Sequence, residues 1–250
     1  ILTAIASQEK LTPELEKAIN VAEKMQALED LYLPYRPKRR TRAQIARENG
    51  LEPLAQLIEE QVKALLPLEQ LAAMHLDEEK GIVTVEDAWQ GACDIVAENI
   101  SDSAEVRKLL RKELWNAGEL VSELIIDEKE APEFLQYRDY NEPVRQLPPH
   151  RILAMNRGED KKALKINLRC PDEKLIAKVA QKLNLKEQSP FYTYYHNALT
   201  DSYKRLLLPS LERELRNELT EKAEKQAISV FAANLRQLLL TQPISGHTVL

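Results

Sequence analysis

The chain has 250 residues and is acidic overall, with 35 Lys and Arg against 40 Asp and Glu and a net charge of −5. It contains only 6 Gly, aromatic residues make up 5%, and strong helix formers dominate, so we expect a mainly α protein large enough to bury a core. No apolar run approaches the roughly 18 residues of a membrane-spanning helix, and no signal-like segment opens the chain. The two distant cysteines, Cys93 and Cys170, predict reduced thiols in a cytoplasmic protein without membrane contact.

The first clear helix signal is Thr12, whose hydroxyl caps a helix with Pro13 in its first turn. Apolar residues at helical spacing then predict one helix with a single buried face that ends before Pro34. They are Leu15, Ile19, Ala22, Met25 and Leu28.

A basic segment, Leu31–Arg47, follows as an extended linker and the start of the next helix. It has no acidic residue and contains six cations, Arg36, Lys38, Arg39, Arg40, Arg42 and Arg47. Local positive charge in an acidic chain, interleaved with Tyr32 and Tyr35, favours contact with nucleic-acid phosphates and stacking on exposed bases. The alternative is a solvated loop that docks on the acidic helices of the protein itself, with the tyrosines packed against protein. We expect the tyrosine half of the segment to pack in this second way.

The stretch Thr41–Glu60 resembles a helix-turn-helix. Thr41 predicts the cap of a short helix that ends at Gly50, which we expect to be a left-handed cap, and a second helix is predicted from Pro53 to Ala64. A version that reads DNA needs Arg, Lys, Asn or Gln on the second helix. That helix carries Glu52, Glu59 and Glu60 and has no Arg or Lys before Lys63. Gln56 and Gln61 compensate little for this negative charge, so we interpret the motif as structural.

The rest of the chain alternates helices with two strand signals. Capping boxes at Thr84/Asp87 and Asp102/Glu105 predict two helices, and Glu119–Ile126 and Leu164–Arg169 predict strands that pair as a ribbon packed on helices. A Pro-containing connection is expected over residues 131–149. The other predicted helices are Leu68–Met74, His150–Gly158, Asp172–Leu183 and long helices from Phe191, with a break or kink at Pro209, a cap at Ser210 and one apolar face from Leu211 to Leu238.

A second basic region lies between Arg145 and Arg169. Its candidate contact residues are Arg145, Arg151, Arg157, Lys161, Lys162 and Lys165. This region either widens a nucleic-acid track, faces an acidic partner, or is the solvated face of a helix and the ribbon.

No pattern typical of an enzyme accompanies these basic regions. None of the 4 histidines has a metal-ligating neighbour at the required spacing, and we find no Gly-rich phosphate loop, nucleophile elbow or paired carboxylates. We therefore predict no catalytic residue, metal, cofactor or small-molecule substrate.

The predicted fold is mainly α: a multi-helix scaffold with helix-turn-helix-like units and a small two-stranded β ribbon. We expect a helical region over residues 1–117, the ribbon with intervening helices over 118–190, and long helices over 191–241 that pack back on the first region. The chain opens on an apolar run without Met and closes on the strand-like Thr248–Leu250, so we expect a fragment of a longer protein.

Four blocks in order resemble the bacterial Tex family of transcription accessory proteins. They are Leu28–Leu51, Gly91–Glu98, Pro148–Gly158 and Ala227–Arg236, and the resemblance covers essentially the whole chain. It implies the helical amino-terminal region of a multidomain nucleic-acid-binding protein, in which residues 242–250 lead into a ribonuclease-H-like domain. Helix-hairpin-helix modules and an OB-fold RNA-binding domain would follow.

The resemblance also sets expectations for function. It implies a non-enzymatic scaffold whose partner is RNA or DNA, bound mainly through domains outside this chain, with a secondary basic surface for phosphate contact here. The family's main nucleic-acid contacts are ascribed to the OB-fold domain, so no known binding residue maps onto this sequence. The alternative is a protein-interaction module that docks on the transcription machinery.

Overall fold

The structure is a computed structural model that describes residues 1–22, 25–36, 40–64 and 66–241. Over these residues the chain is mainly α-helical with a small three-stranded sheet, which confirms the predicted fold class. The described chain divides into two compact units, Ile1–Glu113 with Pro171–Leu211 and Leu114–Cys170 with the residues from Glu212 onward. The predicted boundaries at 117/118 and 190/191 stay a prediction about domain organisation. No helix in the described ranges has the length and apolar character to cross a membrane.

The helices and strands have the following bounds. The helices are α1 (Leu2–Ala6), α2 (Pro13–Val21), α3 (Met25–Tyr32), α4 (Arg42–Glu48), α5 (Glu52–Glu60), α6 (Leu68–Ala73), α7 (Val85–Asp102), α8 (Ala104–Ala117), α9 (Pro149–Asp160), α10 (Asp172–Lys182), α11 (Tyr192–Asp201) and α12 (Leu208–Leu239). The strands are β1 (Glu119–Leu124), β2 (Asp139–Pro143) and β3 (Leu164–Arg169).

Helix α7 is the centre of the first unit, because α4, α5, α6 and α11 all pack against it. Its capping box is present as predicted: the Asp87 amide donates to the Thr84 hydroxyl at 3.1 Å, and the Thr84 amide donates to the Asp87 carboxylate at 2.9 Å. A Cβ at Gly91 would lie 2.3 Å from Leu51 Cδ1, so a larger residue there would force the buried Leu51 side chain of the α4–α5 turn to move.

The α4–α5 turn is closed by the predicted left-handed glycine. Gly50 has φ +82°, its amide donates to the Arg47 carbonyl at 2.9 Å, and the Leu51 amide donates to the Ala46 carbonyl at 3.1 Å. This pair of bonds is a Schellman motif, which satisfies the last carbonyls of α4 and sends the chain into α5. Leu51 and Ala46 are both buried, so the turn is part of the core of the first unit.

The single helix predicted from Thr12 to Pro34 is wrong. The chain leaves the helical conformation at Ala22, where φ is −69° and ψ is 105°, and α3 begins at Met25. Of the five apolar residues that predicted the helix, Ile19 alone is buried, and Met25 is 71% exposed. Without a continuous buried face, no packing energy holds one long helix together at this point.

The capping box predicted at Asp102 and Glu105 is also wrong. Asp102 is the last residue of α7, and Ser103 caps α8 by accepting from the Val106 amide at 3.4 Å. The Glu105 carboxylate instead pairs with Lys182 of α10, and this hydrogen bond lowers the pKa of Glu105. Glu105 therefore forms a long-range ion pair instead of the capping interaction that the local sequence pattern predicts.

A buried ionic cluster joins α3 to α8. Asp30 is 6% exposed and accepts from Arg107 Nε at 2.9 Å and from Arg111 Nη1 at 2.9 Å. Arg107 Nη2 also donates to the Ser210 hydroxyl at 3.2 Å. The sequence gave no sign of this cluster, because its ion pairs join residues 77 and 81 positions apart and leave no local pattern.

Cys93 and Cys170 are not joined in a disulfide and lie in different environments, and this gives a simple prediction. Cys93 is 8% exposed, and burial raises the pKa of its thiol to about 12, whereas Cys170 is half-buried. Because the thiolate is the reactive form, Cys93 is inert near neutral pH in the folded state. We expect native protein to show at most one thiol reactive towards an aromatic disulfide reagent, and denatured protein two. Rapid reaction of both thiols in native protein would contradict this.

The sheet belongs to the second unit and has the order β2-β1-β3, antiparallel throughout. The predicted pairing of the two strand signals is confirmed, with Leu120 opposite Leu168 and Ser122 opposite Ile166. The prediction of only two strands is wrong, because β2 lies within the stretch interpreted as a connection. Its sequence is poor in β-favouring residues and no position of this edge strand is fully buried, so no apolar alternation marks it.

Helix α9 packs directly on β3 in the second unit. A Cβ at Gly158 would lie 2.5 Å from Leu164 Cδ1 and 3.2 Å from Phe134, so glycine is needed for this approach. Ser122, fully buried in the central strand, donates to the Tyr137 carbonyl at 2.8 Å and so has its hydrogen bond satisfied.

The chain stays helical from Tyr192 to Leu239, so the predicted break at Pro209 and cap at Ser210 are wrong. A π-helical stretch, Ser202–Leu207, leads directly into α12, and Pro209 is the second residue of α12. The predicted apolar face is buried from Leu211 to Ala223 but not beyond. Among the described residues nothing packs on its last turns, where Leu238 is 73% exposed.

Candidate nucleic-acid interface

The basic segment begins in the last residues of α3, and a short 3₁₀ turn, Leu33–Tyr35, follows. Arg36 then adopts an extended conformation, with φ −67° and ψ 130°. Lys38 and Arg39 lie outside the described residues, so the predicted extended linker is observed only at its two ends. Tyr32 and Tyr35 are half-buried, and the Tyr35 carbonyl accepts from Gln8 Nε2 at 2.8 Å.

A cavity of about 550 Å³ opens beside Arg36. Arg36 and Arg47 line it from the basic segment, and Lys10 lines it from the connection between α1 and α2. The carboxylates of Glu52, Glu98 and Asp102 line it too, so its charges are mixed. The sequence did not single out Lys10, because the fold brings it to the basic segment across more than twenty positions.

Arg40 and Arg42 are the accessible cations at the start of α4. The guanidinium of Arg40 lies 3.1 Å from the Glu48 carboxylate, but the two side chains are 69% and 46% exposed, so the pair contributes little and can exchange partners. Arg42 is the first residue of α4 and is exposed. Both side chains can therefore reach a phosphate group without breaking a buried contact.

Arg47 differs from the other cations because it is held by the protein. Its Nη1 donates to Glu98 at 2.6 Å, its Nη2 donates to the Asn99 side chain at 2.7 Å, and its Nε lies 3.6 Å from Glu52. The bond to Glu98 is to a side chain only 11% exposed. Arg47 therefore fastens α4 to α7, and a phosphate would have to compete with these partners.

We expect Arg47→Ala to lower stability rather than nucleic-acid affinity. The substitution removes the bonds to Glu98 and Asn99, which lie on the buried side of α4, and charge-assisted bonds of this kind contribute about 1.5–3 kcal/mol. Urea unfolding should show this loss, whereas Arg42→Ala, an exposed cation on the same helix, should change stability by less than about 0.5 kcal/mol. Equal stability of the two variants would show that Arg47 has no structural role.

Helix α5, the second helix of the predicted helix-turn-helix, buries Leu54, Ala55 and Ile58 against the rest of the first unit. Glu59 accepts from Asn99 Nδ2 at 2.9 Å, and burial raises the pKa of its carboxyl group despite that bond. Glu52 and Glu60 are exposed on the same helix. The exposed charge of α5 is therefore negative, which is unfavourable for a helix that reads DNA.

Three cations of the second basic region have a neighbouring polar partner. Arg151 donates to Tyr140 at 2.7 Å and to Glu142 at 2.9 Å, Lys161 pairs with Glu133 at 3.0 Å, and Arg145 donates to the Asn116 side chain at 3.4 Å. The other three, Arg157, Lys162 and Lys165, are exposed. Lys165 lies on β3 opposite Glu123, so acidic charge accompanies it on the sheet. The pair of Lys161 with Glu133 is exposed like that of Arg40, and Arg145 is exposed too, so Arg151 is the cation that the protein holds most firmly here.

The described residues hold no group of three or more His, Cys, Asp or Glu side chains that could bind a metal ion.

The most accessible cations of the basic segment with a described position are Arg36, Arg40 and Arg42. Cations on an exposed turn and the start of a helix can neutralise phosphates without reading base edges.

Comparison with known proteins identifies the relatives of the chain. The family model described as Tex central region-like matches residues 64–231. "Protein tex" of Bordetella pertussis is 40% identical over 264 residues, covering 100% of this chain and 33% of that protein. An uncharacterized protein, YdcI, of Bacillus subtilis is 40% identical over 256 residues, covering 100% of this chain and 35% of that protein.

A more distant relative comes from Homo sapiens. "S1 RNA-binding domain-containing protein 1" is 31% identical over 260 residues, covering 98% of this chain and 26% of that protein. The chain thus spans about a third of the length of the bacterial relatives. The family match covers well over half of the chain, and the bacterial relatives match the whole of it, so the chain belongs to the Tex central region-like family.

Proposed function

We propose that this chain is a non-enzymatic helical scaffold of a Tex-like transcription accessory protein in the cytoplasm, and that its basic segment contacts the phosphates of RNA or DNA. The observation that carries the proposal is the exposure of Arg36, Arg40 and Arg42 in a stretch without acidic residues. Contact of this kind would be secondary, with the main nucleic-acid contacts made by domains outside this chain.

The family relationship supports the general role. A relative from Neisseria gonorrhoeae is named "Transcriptional accessory protein Tex", and the name of the human relative refers to an S1 RNA-binding domain. The family match begins at residue 64, so it does not include the basic segment. The phosphate contact therefore rests on charge and exposure, and it needs its own experiment.

The test is equilibrium binding of this chain to fluorescent single-stranded RNA, single-stranded DNA and duplex DNA at low salt. The proposal predicts measurable binding at about 50 mM salt that weakens as salt is raised, with little dependence on base sequence. Absence of binding to all three probes at about 50 mM salt would refute the phosphate role.

A second candidate function is docking on an acidic surface of the transcription machinery. It is favoured by one observation: two described cations of the segment, Arg40 and Arg47, already pair with carboxylates of this protein. Under this alternative, capture of the partner survives nuclease treatment and the nucleic-acid probes bind weakly. Under the first proposal, nuclease treatment removes the captured material.

A further inference from the structure

A cation outside the basic segment faces the same cavity as Arg36. Lys10, in the connection between α1 and α2, lines this cavity of about 550 Å³ although it lies far from Arg36 in sequence. Both side chains are exposed, and neither has an ion-pair or hydrogen-bond partner within the described ranges. Arg47 also lines the cavity but pairs with Glu52 and Glu98, which balance its charge. Lys10 and Arg36 are therefore the two cations here that remain to attract an anion from solution.

The turn that ends α1 fixes the backbone at Lys10. The Glu9 amide donates to the Ala6 carbonyl at 3.0 Å, and the Lys10 amide donates to the Ile5 carbonyl at 3.4 Å. Glu9 is left-handed, with φ 56°, so these bonds form a Schellman motif. Ile5 is fully buried, which attaches the turn to the core of the first unit. The backbone of Lys10 is therefore held in place by hydrogen bonds and by a buried side chain.

A side-chain hydrogen bond joins this turn to the basic segment. Gln8 Nε2 donates to the carbonyl of Tyr35, the residue before Arg36, at 2.8 Å. The same nitrogen donates to the Ala4 carbonyl of α1 at 3.2 Å, so one amide group links the two segments. Lys10 and Arg36 are therefore carried by backbone segments that are tied together close to both cations.

The anion that fits these two cations is a phosphate in a nucleic-acid backbone. Three carboxylates also line the cavity, so a small anion is repelled from its interior. A nucleic-acid strand instead carries one phosphate at every nucleotide and gains from several exposed cations at once. Arg40 and Arg42 are further exposed cations a few residues after Arg36. A strand held by the basic segment can therefore contact Lys10 at the mouth of the cavity without entering it.

We propose that Lys10 is a further phosphate-contact residue, so that the connection after α1 and the basic segment form one nucleic-acid surface. This inference rests on the proposed phosphate contact of the basic segment and adds a second segment to it. Lys10 and Arg36 bind the backbone of the same strand at the mouth of the cavity. Like the cations of the basic segment, Lys10 contributes affinity without reading base edges.

Charge reversal at two exposed lysines tests the contribution to affinity. Lys10→Glu places a negative charge at the mouth of the cavity, whereas Lys17→Glu makes the same change on α2 at an exposed position that does not line it. At about 0.1 M salt we expect Lys10→Glu to weaken binding of a labelled DNA duplex about tenfold, and Lys17→Glu less than about threefold. Because both lysines are exposed, neither substitution should change urea unfolding by more than about 0.5 kcal/mol.

Chemical modification measures the contact itself. The unsubstituted chain is acetylated at its lysines with and without saturating duplex DNA, and mass spectrometry compares the rates at Lys10 and Lys17. A lysine in contact with a phosphate is shielded from the reagent, so bound DNA should slow acetylation of Lys10 at least about fivefold and that of Lys17 less than about twofold.

These measurements separate failure of this inference from failure of the phosphate role. Suppose that the unsubstituted chain binds DNA, but both charge reversals weaken binding alike or not at all, or bound DNA leaves Lys10 as reactive as Lys17. Lys10 is then not a contact residue, and the phosphate role of the basic segment stands. If the unsubstituted chain binds no DNA at about 50 mM salt, the phosphate role fails and this inference fails with it.

Discussion

Asp30→Asn is expected to be among the most destabilising single substitutions in this chain. Asp30 is 6% exposed and holds two guanidinium groups, those of Arg107 and Arg111, and Arg107 is itself 5% exposed. The asparagine has nearly the same shape but no charge, so two cations lose their counter-ion in a largely buried position. Breaking a buried ion pair from one side costs about 3–5 kcal/mol.

Urea unfolding followed by circular dichroism measures this loss. Glu29→Gln is the matched control, because it removes the same charge from the exposed neighbouring position and should change stability by less than about 0.5 kcal/mol. The double substitution Asp30→Leu with Arg107→Met should cost less than the two single substitutions combined. A loss below about 1 kcal/mol for Asp30→Asn would mean that the cluster contributes little to the fold.

The second large effect is expected on nucleic-acid affinity. Replacing Lys38, Arg39, Arg40 and Arg42 by Ala removes four cations from the basic segment, and we expect duplex DNA to bind about 10³-fold more weakly at about 0.1 M salt. Each phosphate contact releases about one counter-ion and so contributes a separate factor to the association constant, and the loss of four contacts removes the product of four such factors. Fluorescence anisotropy with a labelled duplex measures the change, and unaltered circular dichroism shows that the variant is folded.

The control for this variant must remove equal charge elsewhere. Lys63, Lys112, Lys174 and Lys225 are exposed lysines outside both basic regions. Replacing these four by Ala should change affinity by less than about tenfold, because they act only through the overall field of the protein. A similar loss in both variants would mean that the basic segment is not a contact surface.

Local sequence signals predicted the elements that local chemistry determines. The Thr84/Asp87 capping box and the left-handed Gly50 are both present, because each depends on residues within one turn of the chain. The pairing of β1 with β3 was predictable from the apolar alternation of β3. Strand β2 was not, because an exposed edge strand needs no apolar alternation.

Long-range contacts account for the predictions from sequence that the structure contradicts. Glu105 pairs with Lys182 across 77 positions instead of capping its own helix. Helix α2 ends at Val21 because the apolar face predicted for a longer helix is not buried against other residues. In the candidate interface, the sequence grouped Arg47 with the other cations, but Glu98 and Asn99, 51 and 52 positions away, hold it. Charge patterning locates a basic segment, but it does not say which cations the protein uses for its own packing.

The central claim is that the basic segment contacts phosphates, and the salt dependence of binding tests it most directly. We expect the logarithm of the association constant for duplex DNA to fall linearly with the logarithm of salt concentration. The slope should be shallower by about 3–4 for the variant that lacks Lys38, Arg39, Arg40 and Arg42, and unchanged for the four-lysine control. Parallel lines for wild type and the basic-segment variant would contradict the claim.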